Sequence, residues 1–283
     1  MTEWWGDGER RARVAALADT MYRAGSGDAT TLPALARLAV DRSQGILIRA
    51  SAAEFIGRLI SEGRSDGASR SGSLQTQTSF DRRSAGGSNA GASGTSNARS
   101  NDRRPPAEVT PAIVNSLIGA ADDPEPVVRA AALKALGTVG DRERALGPVL
   151  ARLVDRTRVV RARAAEVLVS FGIVELPGPA GEILKKAQEE YVVSLDMFPD
   201  VASNHASKGW LEAERGNLIV ARDALNKAIA VEPNYAFPWV VKGVMLAREG
   251  KFVEAVEMWK KARSIEPSYP NIDQLIAEAE KRK

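Results

Sequence analysis

VVRAAALKALGTVGD, residues 127–141, returns 32 residues later as VVRARAAEVLVSFG, residues 159–172, with the Val-Arg pair in the same place. In both stretches apolar residues recur at spacings of three and four without sustained alternation, the period of a helix buried along one side. Both are rich in alanine, which lets backbones approach closely. Repetition at this period without any repeated chemistry predicts a solenoid, because each unit leaves an apolar face that only a stacked neighbour covers.

Working outward from the pair, three segments share one plan: an apolar helix, an acidic turn, and a second helix opened by an aliphatic-Arg pair. They are LARLAVDRSQGILIRASAAEFIG from Leu35, LIGAADDPEPVVRAAALKALG from Leu117 and LARLVDRTRVVRARAAEVLVSFG from Leu150. Asp41, Asp123 and Asp155 align, as do Arg49, Arg129 and Arg161, with two extra residues in the first copy. This pattern resembles HEAT repeats, particularly the short bacterial HEAT-like form, over residues 30–63 and 106–173. The resemblance implies that the recurring Asp and Arg tie adjacent repeats together, so the three arginines are expected to be structural.

A second period, of 34 residues, runs through the C-terminal part. Pro199, Pro233 and Pro267 share one phase, as do Ala187, Ala221 and Ala255, then Tyr191, Leu225 and Trp259, then Gly209 with Gly243 and Gly216 with Gly250. Small residues suit close helix crossings, large ones fill the gaps between units, late glycines allow the turn, and prolines end the second helix. The register is similar to that of tetratricopeptide repeats. It implies two complete repeats at 202–235 and 236–269, half a repeat at 180–197, and a terminal capping helix over Asn271–Lys283.

By family phase the inner groove of these repeats is lined by Ala206 and Trp210, then by Phe237, Val240, Val241 and Val244. The Lys, Arg and Asn that clamp a peptide's terminal carboxylate in some tetratricopeptide families are missing at these positions. An apolar groove is expected, covered either by a partner's amphipathic helix or by the chain's own last helix, whose Ile272, Leu275, Ile276 and Ala279 share a face. Trp259 is expected in the core. His205 falls at the phase of Trp239, where a packing side chain is normal, and is expected to be structural.

Composition narrows the function classes. Cysteine is absent and histidine occurs once, which excludes disulfides, thiolate catalysis, iron–sulfur clusters, C-x-x-C-H haem attachment and multi-histidine metal sites. No Ser-centred nucleophile motif or Gly-rich phosphate loop is found, and carboxylate pairs such as Glu212 with Glu214 or Glu278 with Glu280 read as solvated helix faces. The expectation is no enzyme, no cofactor and no metal. Net charge is +3, and the excess falls in residues 64–104, which carry seven basic and three acidic side chains. The remainder is close to neutral and lacks the one-sided basic footprint of a dedicated nucleic-acid binder.

Residues 64–104 are dominated by Ser, Gly, Asn, Thr and Arg, with Leu74 and Phe80 as the only large apolar residues. The composition predicts a disordered tether whose ends average roughly 35 Å apart, carrying a short basic-Ser string at Arg82–Ser84. Around Leu176 the surface chemistry shifts: Lys134 is the only lysine before it and ten follow, and LPGPAG at 176–181 punctuates helices. The expected organisation is an N-terminal helix with the first HEAT-like repeat at 1–63, the tether at 64–104, HEAT-like repeats at 105–176 and the tetratricopeptide-like part at 177–283. The fold class is all-α, a helical-repeat solenoid.

The expected function is a non-enzymatic interaction scaffold whose partner is a protein or peptide, an amphipathic helix among the candidates. The order of Trp4-Trp5-Gly6, HEAT-like repeats and tetratricopeptide repeats is also similar to the C-terminal part of bacterial exported multihaem c-type cytochromes. That resemblance implies an alternative, the partner-docking portion of a split or truncated cytochrome, although none of the haem-binding residues is present to carry over. No run of about 18 apolar residues predicts a membrane span. The opening MTEWWGDGERRARVAAL lacks a secretion signal's apolar core, so the expectation is cytoplasmic, or periplasmic if Met1 is an internal start of an exported protein.

Overall fold

The computed structural model describes residues 8–68, 108–269 and 271–282. Trp4, Trp5 and Gly6, and most of the expected tether with Leu74, Phe80 and Arg82–Ser84, lie outside them. The described residues form thirteen α-helices and two short 3-10 turns and contain no strand, an all-α solenoid. Helix α1 spans Gly8–Gly25, and the first repeat class follows as three helix pairs. These are α2 (Leu32–Val40) with α3 (Ile46–Ala68), α4 (Pro111–Ala120) with α5 (Pro126–Val139), and α6 (Arg142–Ala151) with α7 (Arg158–Ser170). α3 runs to Ala68, into the segment that composition assigns to the tether.

Sequence sets these boundaries locally. Prolines at the first turn open α2, α4 and α5, where their missing N–H costs nothing. The aligned aspartates each accept from the backbone N–H two residues on: Asp41 from Ser43, Asp123 from Glu125 and Asp155 from Thr157. Each turn is thereby closed by its own side chain, in the manner of an Asx-turn.

The second helices α3, α5 and α7 form one layer and the first helices α2, α4 and α6 the other. Stacking within the second layer depends on small residues. Gly57 of α3 stands where an added Cβ would lie 3.1 Å from the Cα of Ala135 in α5, and at Gly137 of α5 it would lie 3.1 Å from a methyl of Val167 in α7. Leu133, Leu136 and Leu168 are fully buried between the layers.

A buried ladder then links each unit to the next. Arg49 donates from Nε and Nη2 to the two carboxylate oxygens of Asp123, at 3.0 and 3.1 Å. Arg129 does the same to Asp155, at 2.8 and 2.9 Å. Arg161, in the last copy, meets Glu190 with the same two-pronged geometry, its Nε 2.9 Å from Oε2. Glu190 lies on α8 (Pro179–Asp196), so α8 takes the place that a fourth repeat would occupy.

The apolar core accordingly does not stop at Leu176. Leu184, Ala187 and Tyr191 of α8 and Leu211 of α9 (Ala202–Glu214) belong to the same buried cluster as the residues of α2–α7. Beyond them α9 pairs with α10 (Leu218–Val231) and α11 (Ala236–Arg248) with α12 (Phe252–Ile265), every bound of the second pair displaced by 34 residues from the first. Gly216 and Gly250 end α9 and α11 in left-handed backbone, with φ of 81° and 77°, a conformation that costs other residues energy. Gly243 packs directly on the Trp259 indole, which is buried and donates from Nε1 to the Val240 carbonyl at 3.1 Å. The last helix, α13 (Ile272–Glu280), seats Ile272, Ile276 and Ala279 against α11 and α12.

Candidate functional site

The six residues expected to line a groove occupy two depths. Ala206, Val240, Val241 and Val244 are buried, and they form the floor and the packing behind it. Trp210 and Phe237 are partly exposed. Their rings stand 6.3 Å apart at 54°, and Tyr235 flanks Phe237 at 6.2 Å. Five of the six, all but the fully buried Ala206, line one cleft of about 340 Å³.

α13 covers only part of this face. Val240 and Val244 share a buried cluster with Ile272, Ile276 and Trp259, and the hollow left between α13 and its neighbours is about 20 Å³, room for about one water. The cleft beside it stays open, with Leu275 and Asn271 as its far rim. Its near rim is supplied by Glu166, Val169 and Ser170 of α7, from the first repeat class. Family phase in the C-terminal repeats alone gives no sign of these residues, because they come from a helix 40 residues earlier in the chain.

The rim from α7 follows from the glycine pattern. Val169 stands eight residues after Arg161, the position that Gly57 and Gly137 hold after Arg49 and Arg129. In the first two copies the glycine admits the next inner helix, whereas Val169 instead presents its side chain to the cleft.

The polar groups at the cleft are largely neutral. Burial pushes the Tyr191 phenol above its ordinary pKa, the nearby Glu166 charge adds to this, and the Ser207 hydrogen bond opposes it. Tyr269 is raised by burial, then by Glu266 and Tyr235. Glu166 is ion-paired with Arg163. The arrangement can enclose a large apolar side chain while hydroxyls satisfy polar groups beside it.

Glu166, Tyr191 and Ser207 also line a second hollow of about 760 Å³, so the two clefts adjoin. Its walls include Lys134 of α5, Arg158 and the exposed Val159 at the start of α7, and the loop after α8, where Met197 and Phe198 are exposed. Lys134 also borders a third hollow against α3. The result is a trough along the inner face of the solenoid, from α3 to α13.

His205 is not among the residues lining this trough; its Nε2 is bonded at 2.7 Å to the Pro199 carbonyl, a contact that pins the turn before α9. Among the described residues no group of three His, Asp or Glu side chains stands together as metal ligands, and no helix is long and apolar enough to cross a membrane. Comparison with curated proteins gives no match, and neither does comparison with solved structures. A family model described as HEAT repeats matches residues 106–169, from the approach to α4 into α7.

Proposed function

We propose that the protein is a non-enzymatic interaction scaffold that holds a segment of a partner protein in the trough along its inner face. Extended helical-repeat surfaces serve this purpose generally, and the match to HEAT repeats supports the class. The observation that carries the reading is the open aromatic cleft. Trp210 and Phe237 remain accessible after the chain's own last helix has taken the neighbouring apolar face. In this reading α8–α12 are tetratricopeptide-like, supported by the 34-residue displacement of α11 and α12 from α9 and α10 and by the packing of Gly209 on Leu225 and of Gly243 on Trp259.

Cross-linking capture from the native source, with the wild-type protein and with Phe237→Glu, tests the proposal. Phe237 is at the first turn of α11 and is not fully buried, so the variant is expected to keep its helical circular dichroism while losing the partner. Undiminished capture by the folded variant would remove the cleft as the binding site.

A further inference from the structure

The trough is polarised. In its aromatic half the one carboxylate, Glu166, is neutralised by Arg163. In the adjoining half Glu190 is taken up by Arg161, but Lys134 and Arg158 are exposed and, among the described residues, neither has an acidic partner. The carboxylates that line this half are already engaged, Glu190 with Arg161 and Glu166 with Arg163, and Glu54 and Glu62 line the next hollow, beyond Lys134. Two cations therefore face a hollow whose other features are the exposed Val159, Met197 and Phe198.

An apolar occupant would satisfy the aromatic half and leave the cations solvated, whereas an acidic one would satisfy the cations and leave the aromatic half empty. We propose that the trough recognises a bipartite peptide segment: a large apolar anchor set between Trp210, Phe237 and Leu275, and Asp or Glu residues to one side of it over Lys134 and Arg158. This rests on the scaffold reading and names its partner chemistry. The two repeat classes then act as one reader, since the anchor site lies on the C-terminal repeats and the charge site on the N-terminal ones. Complementary charge speeds encounter and fixes the direction of the bound segment, and the buried anchor supplies most of the affinity.

The test pans a phage-displayed random 12-residue peptide library on the full chain, on Lys134→Glu/Arg158→Glu, and on Phe237→Ala. Both cations are exposed, and a glutamate at the first position of α7 suits the helix N-terminus, so the charge-reversed protein is expected to fold. The expected result is enrichment of Phe, Leu or Trp with flanking Asp and Glu on the wild type. On the charge-reversed protein Lys and Arg should replace the acids. A synthetic peptide carrying the wild-type consensus should bind the reversed protein about tenfold or more weakly at low salt, and the difference should shrink as salt is added. Enrichment of apolar residues with no acidic preference, unchanged by the reversal, overturns this proposal and leaves the scaffold reading standing. A consensus that survives Phe237→Ala, or no enrichment on the folded wild type, overturns both.

Discussion

Trp259 shows how one side chain can organise a repeat. Its indole fills the space above Gly243, its Nε1 satisfies the Val240 carbonyl, and its other face meets α13. Trp259→Ala should cost about 3–5 kcal/mol through lost burial and a cavity, read as a lower denaturant midpoint in a urea melt. The ladder arginines act through charge rather than volume. Arg129 and Asp155 are both almost fully shielded from water, so Arg129→Met, which strands the carboxylate, should destabilise by about 3–5 kcal/mol. Two carboxylates, Asp155 on the ladder and Asp28 outside it, make the fold acid-sensitive. Burial pushes the Asp155 pKa up, but the Arg129 and Thr157 hydrogen bonds outweigh it and the net shift is downward. Asp28, at the turn before α2, is brought down to about 2 by the Thr30 hydroxyl, the Arg23 guanidinium and the Thr30 amide. A depressed carboxylate stabilises the fold above its unfolded pKa of about 3.9, and that stability is lost as pH falls toward the folded value. Melting temperature should therefore fall below about pH 4, with a shallower slope in Asp28→Asn.

At the scale of the element, α13 is a lid on α11 and α12 and only a rim of the cleft. It buries Ile272, Ile276 and Ala279, and burying an isoleucine contributes about 1.5–3 kcal/mol. Removing residues 271–283 should lower the stability of the C-terminal repeats and raise binding of an apolar dye, since Trp259, Val244 and Val256 lose their cover. Unchanged melting and dye binding would show that α13 is not seated as described. α8 has a different task. It accepts Arg161 through Glu190 on one side, and on the other its Gln188 accepts both Nε–H and Nη2–H from Arg215 beyond α9 while donating to the Val174 carbonyl.

For the whole molecule, that double engagement makes one body of the two repeat classes. Leu184 of α8 is buried in the cluster that runs from α2 to α9, so Leu184→Ala should cost about 2–5 kcal/mol. Hydrogen exchange should quicken on both sides of residue 176 in that variant. Quickening confined to α8–α13 would mean that the units are energetically separate. A solenoid in which each unit leans on the next spreads such a loss to its neighbours.

The sequence by itself determined the repeats. Periodic apolar residues, the aligned Asp and Arg, and glycines and prolines in one phase are local or nearest-neighbour constraints, so each leaves its mark at a fixed spacing. That the recurring Asp and Arg tie adjacent repeats was implied by the resemblance to HEAT repeats, and the structure supplies the pairs, Arg49 with Asp123 and Arg129 with Asp155. The tertiary structure decided where the repeats stop repeating. Glu190 replaces the missing aspartate for Arg161 without sharing its phase, and Val169 replaces the glycine and turns toward a cleft whose other walls come from α8 onward, as far along the chain as Leu275. Ala206, Val240, Val241 and Val244 fit the expected phase, yet they are buried, because phase tells which face a residue shares and not how deeply the next element covers it. Lys134 and Arg158 look like ordinary solvated cations in the sequence. Only the folding of α8 and α9 beside α7 places them in the same trough as Trp210 and Phe237.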